Sequence, residues 1–352
     1  MPDSSTLKEA GLIYVSDTMP GIRRIGAGRG FYYRDGTNQK VTDHATLTRI
    51  RNLAIPPAWS DVWISPDPEG HLQATGRDVR HRKHYRYHPA WTDLRDAAKF
   101  AGLVAFARRL PALRRTVSKD MQCPALSRER VLATVVRLLE RTLIRIGNDI
   151  YAEENKSYGL TTLRRRHLDL QGTQLRFRFK GKSGQEWSLQ IADRRIANTV
   201  RQLQELPGQR LFRYLDEDGT ACDIHSHDVN AYLQAAMGDQ FTSKHFRTWG
   251  ATVQAAAMLE DTPTPEANRE QARILNQVLD DVAGNLGHTR TVCRNCYVHP
   301  AVITQWEKGK LGQQMKATRH HVDKPRRGLT RDEEVVLRWL RNRKPADAAT
   351  DA

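Results

Sequence analysis

Five side chains of this sequence form a set that could work on a phosphodiester. Arg145 lies in Ile144-Arg145-Ile146-Gly147-Asn148, Lys182 in Phe179-Lys180-Gly181-Lys182, and Arg247 in Lys244-His245-Phe246-Arg247-Thr248-Trp249-Gly250; His288 lies in Leu286-Gly287-His288-Thr289, and Tyr297 follows nine residues beyond it. A phosphodiester passing through a pentacoordinate state gains negative charge on its non-bridging oxygens, and fixed cationic donors aimed there lower the barrier. Arginine presents a planar fork and keeps its charge, while a correctly oriented histidine donates one hydrogen bond in either protonation state. A departing alkoxide is strongly basic and needs a proton, which a lysine on a flexible stem can deliver. A phenol of ordinary pKa about 10 must shed its proton as it attacks, or have its pKa lowered by neighbouring arginines. Singly, each residue reads blandly: a solvated charge, a packing histidine at a helix junction, a half-buried tyrosine. Their order and context carry the argument.

The elements that must hold these residues can be read from periodicity. Ser127 is placed to cap a helix in which Leu132, Val135, Val136, Leu139 and Leu143 recur at three- and four-residue steps, with Arg145 emerging at its far end. Leu175, Phe177 and Phe179 alternate with Arg176, Arg178 and Lys180, and Trp187, Leu189 and Ile191 follow, so Gly181-Lys182-Ser183-Gly184 reads as a hairpin turn with an exposed lysine. Thr242 or Ser243 opens a helix with Phe246, Trp249, Val253 and Ala257 as its apolar stripe and Lys244 and Arg247 sharing another face. A further helix from Glu266 to Leu286 is stopped by Gly287, with His288 immediately after. The first ~90 residues read as strand-rich. Their short apolar runs are Leu12 to Val15, Phe31 to Tyr33, Val62 to Ile64 and Leu72 to Thr75, with one helix over Val41 to Leu53. From Trp91 a helical period takes over as far as Leu110, where Pro111 is expected to interrupt, and a capping box at Thr330 and Glu333 opens a last short helix.

The chain has 352 residues, 39% of them hydrophobic, with 56 Lys and Arg against 40 Asp and Glu and a net charge of +16. That length accommodates two domains with buried cores, and that charge favours a polyanionic partner, nucleic acid ahead of an acidic membrane surface. No apolar run approaches ~20 residues and Met1 to Val15 lacks a secretory layout, so a cytoplasmic protein is expected, associated with the nucleoid if bacterial. Cys293 and Cys296 have metal-like or redox-like spacing, with His299 close by. A zinc site would want a second Cys/His pair and a redox site a βαβ setting, so reduced thiols without a ligand role are expected. Gly26-Ala27-Gly28-Arg29-Gly30 fits neither a dinucleotide fingerprint nor a phosphate loop, and no carboxylate cluster suggests magnesium.

Around the five residues lie Tyr151, Asn155, the run Tyr158-Gly159-Leu160-Thr161-Thr162-Leu163 and His167. The whole arrangement resembles the type IB DNA topoisomerases, in their compact poxvirus and bacterial branch, over nearly the full chain. The resemblance implies that Arg145, Lys182, Arg247 and His288 surround the scissile phosphate, with Lys182 as general acid, and that Tyr297 attacks it. The product would be a 3′-phosphotyrosyl enzyme and a free 5′ hydroxyl, requiring neither metal nor nucleotide cofactor. Gly76-Arg77-Asp78 through His84-Tyr85-Arg86-Tyr87 looks like the segment with which poxvirus enzymes touch bases in the major groove. Tyr85 and Tyr87, with Arg80, Arg82 and Lys244, are therefore expected to contact double-stranded DNA. For Tyr151 an auxiliary DNA contact and core packing stand side by side.

Tyrosine recombinases share the order of catalytic residues and the phosphotyrosine chemistry. The strand-rich N-terminal part and Lys244, where recombinases more often carry histidine, favour the topoisomerase. A catalytically silent architectural protein would need only a basic surface, not these five residues together. The expected fold is α+β. A small antiparallel β domain over residues 1–90 precedes a mainly helical catalytic domain with a β-hairpin over 91–325, and 326–352 forms a basic helix and disordered tail. The domains are expected to close as a C-shaped clamp on DNA, acting as a monomer.

Overall fold

The computed structural model describes residues 7–8, 10–28 and 30–343, the side chains of 96–98 aside. The chain divides into two compact units, residues 1–101 and 102–352. In the first, β1 (Ile22–Ala27), β2 (Gly30–Arg34), β3 (Ser60–Ile64), β4 (Leu72–Arg77) and β5 (Lys83–Tyr87) form one antiparallel sheet in the order β2-β1-β3-β4-β5. Strand alternation sends Ile22, Val62, Ile64 and Ala74 to one face, where they enclose Ile50 of α1 (His44–Asn52). The opposite face buries Trp63 and Leu72 with Val15. A register shift between Leu72 and Ala74 lets these two residues, two apart, serve different faces. α2 (Pro89–Ala101) completes the unit.

The antiparallel β-rich character of the N-terminal part is as expected, but Leu12 to Val15 is not a strand. It makes a single bridge, Ile13 to Gly70, because the flanking N–H groups are engaged elsewhere: Leu12 N–H donates to Leu7 O, and Val15 N–H to the ring of His71, 56 residues away. β1 lies in a stretch without apolar alternation. Its charged and glycine-rich residues, Arg23, Arg24 and Gly26, dilute the apolar alternation, and pairing on both edges makes it a strand.

The second unit packs helices around one core. They are α3 (Leu103–Asp120), α4 (Arg128–Thr142), the short α5 (Asp149–Glu154), α6 (Arg194–Glu205), α7 (Ser226–Met237), α8 (Ser243–Glu260), α9 (Asn268–Leu286), α10 (Arg290–Cys296), α11 (Pro300–Glu307), α12 (Leu311–His320) and α13 (Arg331–Asn342). A three-stranded antiparallel sheet of β6 (Leu168–Gln171), β7 (Gln174–Lys180) and β8 (Glu186–Ala192) carries the hairpin, and a small pair, β9 (Arg213–Leu215) and β10 (Ala221–Asp223), lies apart.

Pro111 does not interrupt the helix: α3 runs through it, and the break falls at Gly102 between α2 and α3. A proline inside a helix costs about 3 kcal/mol. Here Leu103, Phe106 and Leu110 before it and Leu113 and Val117 after it are buried in the same core, and burying five such side chains outweighs that cost. The C-terminal capping box forms in both directions, with Glu333 N–H donating to Thr330 Oγ1 and Thr330 N–H to Glu333. α13 is no separate basic appendage, since Val335, Val336, Leu337 and Trp339 join the core of the second unit. The expected disordered tail beyond it, 344–352, lies outside the described residues.

Candidate active site

Two helix ends and a strap meet at one point of the second unit. α4 carries its apolar stripe into the core and stops at Leu143, which takes the left-handed conformation at φ 54°. The chain leaves this cap in an irregular strap in which Ile144 is buried and Arg145 partly buried. The strap is tied from the other side by the run Tyr158 to Thr162. Leu160 N–H donates to Arg145 O and Thr161 N–H to Ile146 O, while Tyr158 N–H donates to Lys180 O at the end of β7. A single short segment thus fixes the backbone of Arg145 and the turn end of β7, two residues before Lys182. Gly159 is required there, since a Cβ would lie 2.6 Å from Arg145 O.

Lys182 occupies the exposed 3₁₀ turn Lys182–Gly184 between β7 and β8, where Ser183 adopts φ 62°. The hairpin register pairs Phe179 with Trp187 and Lys180 with Glu186. α9 ends at Leu286 in a glycine cap, Gly287 at φ 59°, which turns His288 out of the helix direction. Thr289 then caps α10, whose last turn delivers Tyr297. The tyrosine's own carbonyl accepts a hydrogen bond from Thr252 on α8 at 3.2 Å.

These elements bring four of the five residues into direct contact. His288 Nε2 lies 3.0 Å from Tyr297 Oη, and the Arg145 guanidinium bonds the same imidazole. Arg247 on α8, 4% exposed, places its guanidinium carbon 5.1 Å from the centre of the Tyr297 ring. Its two terminal nitrogens donate to Leu143 O and, at 2.7 Å, Leu286 O, the carbonyls at the ends of α4 and α9. Lys244 and Arg247 do not share an environment. Lys244 is exposed, while the two carbonyls draw Arg247 inward.

The electrostatics follow from this crowding. Burial, then the charges of Arg145, Arg247 and Lys182, hold the His288 pKa at about 3, so the ring is neutral at pH 7. Lys182 is therefore close enough for its charge to be felt at the imidazole. Burial, with Arg247 beside it, lowers Arg145 to about 10, still charged at pH 7. The cluster joins the Arg145 and Arg247 guanidinium cations to a neutral imidazole and a phenol, hydrogen-bonding groups suited to an oxyanion.

The remaining expected residues lie elsewhere. Tyr151 on α5 is 51% exposed, which excludes core packing. In the first unit Tyr85 and Tyr87 stack side by side on β5 at 5.9 Å, with Lys83 over one ring and Arg95 over the other. Arg80 is exposed, and Arg82 is paired with Asp78. His299 caps α11 through Nδ1, and burial pushes the Cys293 thiol up to about 11, the direction that suppresses the thiolate a metal needs. Among the described residues no group of His, Cys, Asp and Glu could hold a metal ion, and no helix is long and apolar enough to cross a membrane. Sequence reasoning did not single out Thr252, the carbonyls of Leu143 and Leu286, or Trp187. Main-chain acceptors carry no residue-type signal, and Thr252 and Trp187 matter only through distant neighbours.

A β-rich unit followed in the chain by a helical unit whose tyrosine, histidine and two arginines converge is the make-up of a protein that handles nucleic-acid phosphates. Residues 88–324 match the catalytic core of eukaryotic DNA topoisomerase I, and residues 30–78 match the N-terminal domain of bacterial DNA topoisomerase IB. The chain is 34% identical over 288 residues to the DNA topoisomerase 1B of Acanthamoeba polyphaga mimivirus, a match covering 80% of this chain and 85% of that protein. With the DNA topoisomerase 1B of vaccinia virus (strain Copenhagen) it shares 19% identity over 290 residues, covering 78% of this chain and 89% of the relative. The chain belongs to the type IB DNA topoisomerases, isomerases that act on DNA without ATP, and not to the tyrosine recombinases.

Proposed function

We propose that this topoisomerase cuts one strand of duplex DNA through Tyr297, with Arg145, Arg247 and His288 around the phosphate and Lys182 at the leaving group. The observation that carries the reading is the 3.0 Å approach of His288 Nε2 to Tyr297 Oη, with the Arg145 guanidinium on the same ring. As Tyr297 Oη bonds to phosphorus, its phenol proton passes to the neutral His288 Nε2 3.0 Å away, and the P–O5′ bond breaks with its electron pair leaving on O5′, which takes a proton from Lys182. The neutral imidazole accepts the phenol's hydrogen bond before DNA binds and is placed to donate to a non-bridging oxygen once the phosphate is in position. The guanidinium of Arg145, partly buried, provides the fork for the same oxygens. Because the 3′-phosphotyrosyl bond conserves the energy of the broken one, religation needs no nucleotide. Rotation of the free end between the two steps relaxes supercoils.

Binding is assigned to both units: Tyr85, Tyr87, Arg80 and Arg82 in the first, Tyr151 and Lys244 in the second. Exposed aromatics beside basic side chains suit base or sugar contacts next to phosphate contacts. These assignments suit a monomer acting on double-stranded DNA in the cytoplasm, associated with the nucleoid if bacterial.

Tyr297→Phe tests the reading. The variant keeps the ring against Arg247 and should bind duplex with near wild-type affinity but form no covalent adduct. With the wild type, label upstream of the nick should stay on the peptide holding Tyr297 after denaturation and proteolysis. Label on another tyrosine, or retained by the Phe variant, would refute the nucleophile; label from the 5′ side would refute the polarity.

A further inference from the structure

We propose that Trp187 is the positioning residue that sets Lys182 against His288 and Tyr297; the inference rests on the reading of Lys182 as general acid. Trp187 stands on β8 opposite Phe179, and the two rings stack at 5.8 Å with 5° between planes. Its indole also lies against two glycine backbones from distant parts of the chain. A Cβ at Gly181 would fall 2.7 Å from the indole Nε1, and one at Gly287 2.6 Å from its six-membered ring. Gly181 immediately precedes Lys182, and Gly287 immediately precedes His288. One rigid ring therefore spaces the main chain of the proton donor from that of the phosphate-side histidine, and neither neighbour can carry a side chain while the ring is there.

A general acid must come within hydrogen-bond reach of the oxygen it protonates, and a misplacement of about 1 Å can cost ~10²-fold in rate. Lys182 sits on an exposed turn and carries a flexible stem; Phe177 and Phe179 anchor β7 in the core, while the turn is bracketed by the Tyr158 N–H to Lys180 O bond and by the Trp187 ring against Gly181. The ring is only partly buried and lines a cavity of about 310 Å³ together with Arg141, Leu143 and Asn285. Removing the indole would enlarge that cavity and leave the tip of the hairpin without its stop.

The test compares cleavage of ordinary DNA with cleavage of DNA carrying sulfur in place of the 5′ bridging oxygen at a mapped cleavage site, since a thiolate departs without a proton. Trp187→Ala should slow cleavage of ordinary DNA by ~10–10²-fold. It should cleave the sulfur substrate within a few-fold of wild type and bind duplex unchanged. Trp187→Phe, which keeps a ring between the two glycines, should recover most of the rate. Gly181→Ala should show the same substrate-dependent defect, and the double variant Gly181→Ala/Trp187→Phe should be faster than Gly181→Ala alone, because the smaller ring makes room for the methyl group. This size complementation keeps the proposal falsifiable even where Trp187→Ala folds poorly. Equal losses on both substrates, or a double variant slower than Gly181→Ala, would overturn it. Lys182→Ala run in parallel separates the two readings. If sulfur fails to rescue it, the general-acid assignment falls; if sulfur rescues Lys182→Ala but not Trp187→Ala, only the positioning role falls.

Discussion

His288 is the residue whose ionisation the fold changes most usefully. Its pKa is near 3 in the folded protein against about 6.5 when unfolded, so between these values the unfolded chain binds more protons. Stability then falls as pH drops through that window and is unaffected by this ring above it. His167, held near 4 by burial and by Arg166 and Arg164, acts in the same direction. The carboxylates held low by partners, Asp149, Asp228 and Glu333 among them, contribute stability that is lost as pH falls from the ordinary carboxylate range through their lowered values. The loss of stability between pH 7 and 5 thus belongs to histidines. His288→Asn should flatten the fall in Tm over that range relative to wild type. Identical pH profiles for the two proteins would show that the imidazole is not held neutral by burial and the surrounding cations.

At the scale of elements, the site is a junction of helix ends. α4 and α9 both finish in left-handed caps, at Leu143 and Gly287, and the last turn of each leaves carbonyls without helical partners. Arg247 reaches from α8 to one such carbonyl on each, so a cation binds the two negative dipole ends that would otherwise face each other. The side chain is a clasp between three helices as well as a neighbour of Tyr297. Arg247→Ala should consequently destabilise the protein by about 2 kcal/mol, the size expected when hydrogen bonds from a charged donor are lost. Arg145→Ala, whose partner is the His288 ring, should leave the melting temperature close to wild type while abolishing activity. Matching melting temperatures for the two variants would mean that Arg247 is not a structural clasp.

For the whole molecule the governing quantity is the net charge of +16. Part of the basic content is engaged internally and adds nothing to that excess: Arg114 with Glu140 and Glu333, Arg319 with Glu260, and Arg326 and Arg338 with the fully buried Glu334. Those pairs organise the core around α3 and α13 and offer nothing to DNA. The exposed Lys and Arg, Lys244 and Arg80 among them, remain for phosphate contacts. Each phosphate neutralised releases counterions, so log affinity should fall linearly with log salt, with a slope of about −0.9 per contact. Lys244→Ala should weaken duplex binding and reduce the magnitude of that slope by ~1, whereas removal of an internally paired arginine such as Arg338 should leave it unchanged. A slope unaffected by Lys244→Ala would remove that residue from the DNA contacts.

By itself the sequence determined the α+β character of the chain, the hairpin with Lys182 at its turn, the cap after which Arg145 emerges and the glycine stop before His288. Each depends on residues near one another in the chain, through periodicity, capping side chains or the φ preference of glycine. The family was legible for a related reason, because order and local context survive in a linear string. Tertiary structure decided the rest. Pro111 stays inside α3 because both halves of that helix are buried in one core, and β1 becomes a strand because both its edges are paired. Arg247 turns inward toward two carbonyls 104 and 39 residues away. Trp187 meets Gly181 and Gly287 only because the hairpin folds back onto the end of α9. Contacts of that range are set by how elements pack, and packing is a property of the assembled core rather than of any local run of residues.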